Sequence, residues 1–150
     1  HSGIGGITGI VLLFPFYGGI MGIMTGANAD GISISTQVTE FFVNSASADS
    51  FPIFAFLSAG LVNVFVPSGG GQFAVQGPVM IPAGIELGVS PAITAMAIAW
   101  GDAWTNMIQP FWALPLLGIA GLDARAIMGY CLIVLAVSGA VIMGVFWLVV

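Results

Sequence analysis

The sequence predicts an all-α integral membrane protein, in which transmembrane helices accompany one re-entrant helical hairpin and one broken helix. Of the 150 residues, 59% are hydrophobic and only 5% are charged, whereas soluble domains carry about 25% charged residues. Two uncharged stretches, residues 4–25 and 126–150, are long enough to cross a bilayer. Two further apolar arms, residues 51–66 and 73–87, are too short to cross it.

The elements follow from these patterns in chain order. Residues 4–25 predict a first transmembrane helix, kinked at Pro15. Residues 26–50 form the one sustained polar stretch, in which apolar side chains recur at helical spacing beside Gln37 and Glu40. This pattern predicts an amphipathic helix lying at the membrane interface.

Residues 51–87 predict the hairpin. Each arm reaches about 24 Å at 1.5 Å per residue, short of a hydrocarbon core of about 30 Å. Its polar tip, residues 67–72, must be buried in protein or face a water-filled cavity, because bare amides cannot lie in lipid. Residues 91–118 can span, but glycine, aspartate, threonine and asparagine at 101–106 predict a helix broken into two halves. Residues 126–150 predict the last transmembrane helix.

The charges restrict the partners. Net charge is −5, with Arg125 as the one basic residue besides His1, and the absence of a basic patch argues against nucleic acid. A single cysteine, Cys131, excludes a disulfide framework or a Cys/His metal site, so no cofactor is expected. Membrane lipid is the expected surrounding. Arg125 predicts a cytoplasmic turn before the last helix.

The tip and the break are the predicted binding segments. The second hairpin arm would begin with free amides at Gly70, Gly71 and Gln72, which can hold a carboxylate without a cationic side chain. Thr105 and Asn106 would cap the restarted helix and offer a second set of amides. Alternatively, the glycines only permit a tight turn and close packing. The predicted solute-binding residues are Ser68, Gly69, Gly70, Gly71, Gln72, Thr105, Asn106 and Gln109.

Asp102 is the strongest candidate residue for binding a coupling ion. A carboxylate at the bilayer centre costs about 2.5–3.5 kcal/mol, and no lysine or arginine precedes Arg125. We therefore expect Asp102 to be protonated, to bind a cation such as Na⁺, or to pair with a residue outside this sequence. The alternative is a structural cap, in which Asp102 accepts bonds from amides of the restarted helix.

Several further residues keep two interpretations. Trp104, Phe111 and Trp112 lie at helical spacing, which suits either a cavity wall or ordinary packing. Asn63 in the first arm can cap the tip or contact solute. Glu86 is assigned to the interface.

Other classes of membrane protein fit less well. An aspartyl intramembrane protease needs a second catalytic aspartate and a Gly-x-Gly-Asp sequence, but Ala99 occupies the first glycine position; a serine protease needs a histidine, and His1 is terminal. The chain is therefore not expected to be an enzyme. A passive channel also uses polar backbone in re-entrant loops, so this class is kept as an alternative. A purely structural membrane subunit is a further alternative.

Two segments resemble a known family. VFVPSGGGQ at residues 64–72, followed by VQGP at 75–78, is similar to the hairpin of the bacterial short-chain fatty acid transporters. GDAWTNMIQPFWALP at residues 101–115 is similar to the last broken helix of the same family, and FPFYGGIMG at 14–22 adds a weaker match. The resemblance is strong over about residues 51–130.

The resemblance implies a secondary carrier of the ion-transporter superfamily with two inverted repeats that work by alternating access. Its solutes would be short-chain monocarboxylates such as butyrate or acetoacetate, taken up with H⁺ or Na⁺ across the bacterial inner membrane by a multi-pass protein. This chain would be the second, C-terminal repeat, and an N-terminal repeat would complete the site. Because related families carry other carboxylates, dicarboxylates are an alternative class of solute. Because relatives are often dimers, the resemblance also allows a homodimer.

Overall fold

The computed structural model describes the backbone of residues 2–149 and their side chains, except those of residues 2–7, 9, 10, 13, 110 and 111. All secondary structure in this part of the chain is helical, which confirms the all-α prediction. The α-helices are α1 (Ser2–Thr25), α2 (Ile34–Ser45), α3 (Phe51–Phe65), α4 (Gly69–Glu86), α5 (Pro91–Thr105), α6 (Pro110–Ala120) and α7 (Ala124–Val149), with a 3₁₀ turn at Asn106–Ile108.

Length and apolarity single out α7. Among the residues that the structure describes, it is the one helix both long and apolar enough to cross a membrane, and α3 is apolar but shorter. The predicted span at residues 4–25 lies within α1, which continues through Pro15 as one helix. The predicted span at 91–118 is divided between α5 and α6.

The link between the hairpin arms is shorter than the sequence suggested. We predicted a tip through Gln72, but α4 already begins at Gly69, and the three glycines form its first turn. Ser68 explains the early start: its backbone is extended, and its Oγ accepts a hydrogen bond from the Gly71 amide at 3.3 Å. This is the geometry of an N-cap.

The break in the second segment lies later than predicted. Thr105 and Asn106 do not cap a restarted helix, because α5 continues to Thr105 and a 3₁₀ turn follows. Helix α6 begins at Pro110, and the preceding Gln109 is extended at φ −86° and ψ 110°. A proline disfavours helical backbone at the residue before it, so Pro110 sets the position of the break.

Helix α2 turns its hydroxyl side chains inward. It packs against α3 and α4 with Ser35 and Thr39 fully buried, whereas Ile34 and Phe41 are exposed. The polar stretch therefore does form a helix, but part of its polarity serves contacts inside the protein. Its N-cap is Ser33, whose Oγ accepts from the Thr36 amide at 3.1 Å.

Close backbone packing of α3 on α5 forms the centre of the fold. A Cβ atom on Gly101 would lie 2.3 Å from the backbone oxygen of Phe56 and 2.6 Å from Cβ of Ala59, so the helices can approach this far only with glycine at 101. The surrounding apolar core consists of Phe51, Ala55, Phe56, Ala59, Met80, Val89, Ala97, Ile98 and Phe146.

Candidate functional site

The two segments predicted to carry the site touch each other. A Cβ atom on Gly69, the first residue of α4, would lie 3.3 Å from Oδ2 of Asp102 and 3.6 Å from its Oδ1. The carboxylate of α5 therefore lies against the start of the second hairpin arm. Gly69 and Gly70 are exposed, so this contact borders an open side of the junction.

Asn63 links the hairpin to the end of α5. Its side chain is fully buried, and Nδ2 lies within hydrogen-bond distance of the Asp102 backbone oxygen (2.7 Å), Asn106 Oδ1 (2.9 Å) and Thr105 Oγ1 (3.0 Å). Because a side-chain amide has two hydrogens, the three acceptors share two donors. The Thr105 hydroxyl donates to the backbone oxygen of Gly60 at 2.9 Å. These bonds hold α3 against the residues that precede the break.

Gln109 links the break itself to the hairpin. Its buried Nε2 donates to the backbone oxygen of Asn63, a carbonyl in the last turn of α3 that has no partner within the helix. Its Oε1 accepts a hydrogen bond from Trp112 Nε1 at 2.8 Å. Gln109 thereby orients the indole of Trp112. The side chain of Phe111 lies outside the described residues.

The free amides at the tip differ from those predicted. The Gly71 amide bonds to Ser68 Oγ, and the Gln72 amide donates to the Ser68 backbone oxygen at 2.7 Å. In the first turn of α4, the backbone amides that remain available as donors are those of Gly69 and Gly70. The donors at the tip are therefore Gly69 and Gly70 rather than the predicted Gly70, Gly71 and Gln72, and Gly69 lies beside the carboxylate of Asp102.

Gln72 points into the protein rather than out of the tip. Its Nε2 donates to the backbone oxygen of Ala59 and to Gln76 Oε1, both at 2.8 Å. Gln76 Nε2 continues the chain of bonds to Thr39 Oγ1 at 3.1 Å and Ser58 Oγ at 3.2 Å. A buried polar network thus joins α2, α3 and α4 behind the tip. It extends through Thr39 to the Ser35 backbone oxygen, and Ser35 Oγ donates to the Met24 backbone oxygen.

Trp104 takes the packing role that the sequence left open. A Cβ atom on Gly60 would lie 2.9 Å from its indole ring, and one on Gly139 would lie 2.6 Å from it. Its Nε1 donates to the backbone oxygen of Leu135 at 2.8 Å. Trp104 therefore fills the space between α3 and α7.

A cavity of about 220 Å³ opens at the hairpin tip. Ser68 and Trp112 contribute the predicted side chains, and the remaining lining is Phe14, Tyr17, Gly18, Met21 and Pro67. The FPFYGGIMG segment of α1 therefore faces the hairpin. A larger groove of about 460 Å³ between α5 and α7 has a wholly apolar lining and lies away from the polar residues.

Three buried side-chain oxygen atoms lack a hydrogen-bond donor among the described residues: Asn63 Oδ1, Gln72 Oε1 and Asp102 Oδ1. An unsatisfied buried acceptor costs about 1–3 kcal/mol. These three acceptors therefore have no donor within the described part of the chain.

Sequence reasoning missed the network partners Ser58, Thr39 and Gln76, and it left Asn63 open. A signal was present for one of them, because Gln76 follows Gln72 by four residues and so shares its helix face. Nothing local indicates that Thr39 of α2 contacts α4, since that contact joins distant parts of the chain.

Buried amides and hydroxyls combined with an apolar exterior are typical of a helical membrane protein. The family model described as "Short chain fatty acid transporter" matches residues 2–149, so the chain belongs to that family.

Two relatives carry the name of this family, and a more distant third carries another name. A protein of Escherichia coli (strain K12) named "Putative short-chain fatty acid transporter" is 50% identical over 133 residues, 89% of this chain and 29% of that protein. A Haemophilus influenzae protein of the same name is 47% identical over 141 residues, 93% of this chain and 30% of that protein. The "Putative basic amino acid antiporter YfcC" of Escherichia coli is 29% identical over 119 residues, 76% of this chain and 24% of that protein.

This chain therefore spans about three tenths of the length of these two curated relatives. Comparison with solved structures gives no significant match.

Proposed function

We propose that the protein is a secondary active transporter that takes up short-chain fatty acids, such as butyrate or acetoacetate, with H⁺ or Na⁺. The observation that carries the proposal is the contact between the hairpin tip, at Gly69, and Asp102 in the last turn of α5 before the break. Two helix breaks that meet inside an apolar helical fragment provide polar groups at membrane depth, where a carrier needs them.

The solute class follows from the donors at the tip. The described part of the junction offers the backbone amides of Gly69 and Gly70 and the hydroxyl of Ser68. The one arginine of the sequence, Arg125, lies in the first turn of α7. A single carboxylate can bind at such a helix N-terminus without a cationic side chain. The adjoining cavity, with Trp112 and Tyr17 in its wall, suits a short apolar tail. A dicarboxylate or an amino acid requires further polar groups.

The proposed mechanism is alternating access in a multi-pass protein of the bacterial inner membrane. Helices α3 and α4 form the re-entrant hairpin, α5 and α6 the broken helix, and α1 and α7 the flanking spans. Gly69, Gly70 and Ser68 bind the solute carboxylate directly. Gly71, Gln72, Thr105, Asn106 and Gln109 hold the tip and the break in position. Asp102 takes the coupling ion, and a homodimer is the proposed assembly.

The deciding experiment is uptake of labelled butyrate into proteoliposomes that contain the full-length protein, under a sodium or a proton gradient. Saturable uptake driven by one gradient, with competition from acetoacetate and not from succinate or arginine, is the expected result. If succinate or arginine competes better than acetoacetate, the proposed solute class is wrong. If the flux is non-saturable and independent of both gradients, the protein is a channel and not a carrier.

A further inference from the structure

Helix α1 turns one of its faces to the cavity at the hairpin tip. Four residues of α1, spaced three or four positions apart as on a single helix face, line the cavity: Phe14, Tyr17, Gly18 and Met21. The remaining lining consists of Pro67 and Ser68, in the link between the hairpin arms, and Trp112, in the first turn of α6. The cavity of about 220 Å³ therefore lies between α1, the tip and the start of α6.

Gly18 is the position on this face of α1 that carries no side chain. A Cβ atom added there would meet no heavy atom of the described residues within 4 Å. At Gly101, by contrast, a Cβ atom would lie 2.3 Å from a backbone oxygen. The backbone of Gly18 is helical, and glycine is among the poorest residues for a helix interior. Within the described structure, what glycine provides at position 18 is space in the wall of the cavity.

The same cavity begins at the groups proposed to hold the solute carboxylate. Ser68 lines it and is also the N-cap of α4, directly before the amides of Gly69 and Gly70. The Ser68 hydroxyl accepts a hydrogen bond from the Gly71 amide and can still donate its own hydrogen to a carboxylate oxygen. With the carboxylate at this end, the apolar tail of the solute extends into the cavity, towards the wall that glycine leaves open.

We propose that Gly18 sets the upper limit on the length of the solute, because the space beside it holds the far end of the apolar tail. The inference rests on the proposed function and adds a specificity-determining residue on α1, outside the hairpin and the broken helix. A side chain at position 18 would fill part of this space and displace the end of the butyrate tail, while the shorter acetate would still fit. One methylene group in an apolar pocket changes selectivity by about 10- to 200-fold.

The test compares acids of different length on the full-length protein in proteoliposomes. Uptake of labelled acetate is measured against unlabelled acetate or butyrate as competitor, in the wild type and in Gly18→Leu. We expect the butyrate concentration for half-maximal inhibition, divided by that of acetate, to rise by about tenfold or more in Gly18→Leu. Gly18→Ala adds a smaller group and should raise the same ratio by less.

Gly19→Leu is the matched control. Gly19 is the next residue of α1 and lies outside the lining of the cavity, and a Cβ atom there also meets no described atom within 4 Å. Both substitutions raise the helix propensity of α1 equally, so a general effect on the helix would appear in both. We expect wild-type selectivity in Gly19→Leu. An equal shift in the two variants would overturn the inference.

A double variant tests whether position 18 acts through the cavity. Trp112→Ala removes an indole from the cavity wall, so in combination with Gly18→Leu it should return the ratio towards the wild-type value. A structural defect of α1 would not be corrected in this way, and a ratio that stays at the Gly18→Leu value would overturn the inference. If Gly18→Leu does not fold, Gly18→Ala carries the test, and an unchanged ratio there would overturn the inference.

The wild type separates this inference from the proposed function. Absence of saturable uptake of either acid by the wild type would reject the proposed function and, with it, the role of Gly18. Saturable uptake by the wild type, with a ratio that Gly18→Leu leaves unchanged, would support the proposed function and overturn the role of Gly18 alone.

Discussion

The hairpin junction and α7 distribute polar and apolar side chains in opposite ways. In α3, nine of the 15 residues are buried, among them Ser58 and Asn63. In α7, only Gly139 and Phe146 of 26 residues are buried, and apolar side chains such as Leu148 (77% exposed) face outward. One part of the molecule is held by buried hydrogen bonds and the other offers an apolar surface.

This difference shows which forces can act where. Lipid is as apolar as leucine, so burying α7 against other helices gains little. Close backbone contact and interhelical hydrogen bonds can hold helices together in that setting. Accordingly, α3 and α5 meet at Gly101, while Trp104 packs against Gly139 and bonds to Leu135 of α7.

The largest effect should come from breaking the close contact at the junction. Gly101→Ala places a Cβ atom 2.3 Å from a backbone oxygen, which no rotamer change can relieve. We expect a loss of stability of about 3 kcal/mol, at the upper end for overpacking, seen as a fall in Tm of the purified protein. Gly144→Ala in α7 meets no atom within 4 Å and should leave Tm unchanged. Equal Tm values for the two variants would contradict the packing argument.

The next effect concerns the hydrogen bonds of Asn63. Asn63→Leu deprives the Asp102 backbone oxygen, Thr105 and Asn106 of a shared donor. We expect a loss of about 2 kcal/mol, because buried acceptors are left unsatisfied, measured by unfolding in detergent. The control is Asn44→Leu, at an exposed position of α2, with little change expected. If both variants unfold alike, Asn63 is not the link between hairpin and α5.

A smaller effect should follow from opening the network behind the tip. Gln76→Met removes the donor to Thr39 and Ser58 and the acceptor for Gln72. Interhelical hydrogen bonds in membrane proteins contribute about 0.6 kcal/mol each, so a loss of about 1–2 kcal/mol is expected. Faster hydrogen exchange in α2 is the accompanying readout, since Thr39 connects it to α4. Gln37→Met, at an exposed site on α2, should change neither quantity.

The smallest effect on folding, but a clear one on selectivity, is expected at Trp112. Its indole lines the cavity at the tip and is half exposed, so Trp112→Ala should leave Tm nearly unchanged while enlarging the cavity. The ratio of hexanoate to butyrate uptake should rise by about tenfold, within the range of one or two methylene groups. Trp147→Ala removes an exposed indole from α7 and should not alter the ratio. An unaltered ratio in Trp112→Ala would place the solute tail elsewhere.

Local sequence was sufficient for the existence and order of the helices. Long uncharged runs, two short apolar arms and a polar interruption predicted an all-helical chain, because hydrophobicity and length are local properties. Their ends were less well determined. Ser68 starts α4 at Gly69, whereas the prediction took the glycine run as part of the tip. Pro110 sets the break at Gln109, whereas the prediction placed the break at Thr105 and Asn106.

By itself, the sequence determined an apolar helical protein of the short-chain fatty acid transporter family and the two segments that carry its polar groups. Tertiary structure alone decided that Asn63 binds the end of α5, that Gln72 turns inward and that Asp102 lies beside Gly69. The physical reason is that buried polar groups must find partners, and those partners come from segments separated by up to 46 positions in the chain. Spacing along a helix identifies neighbours within one helix, but not the helix that packs against it.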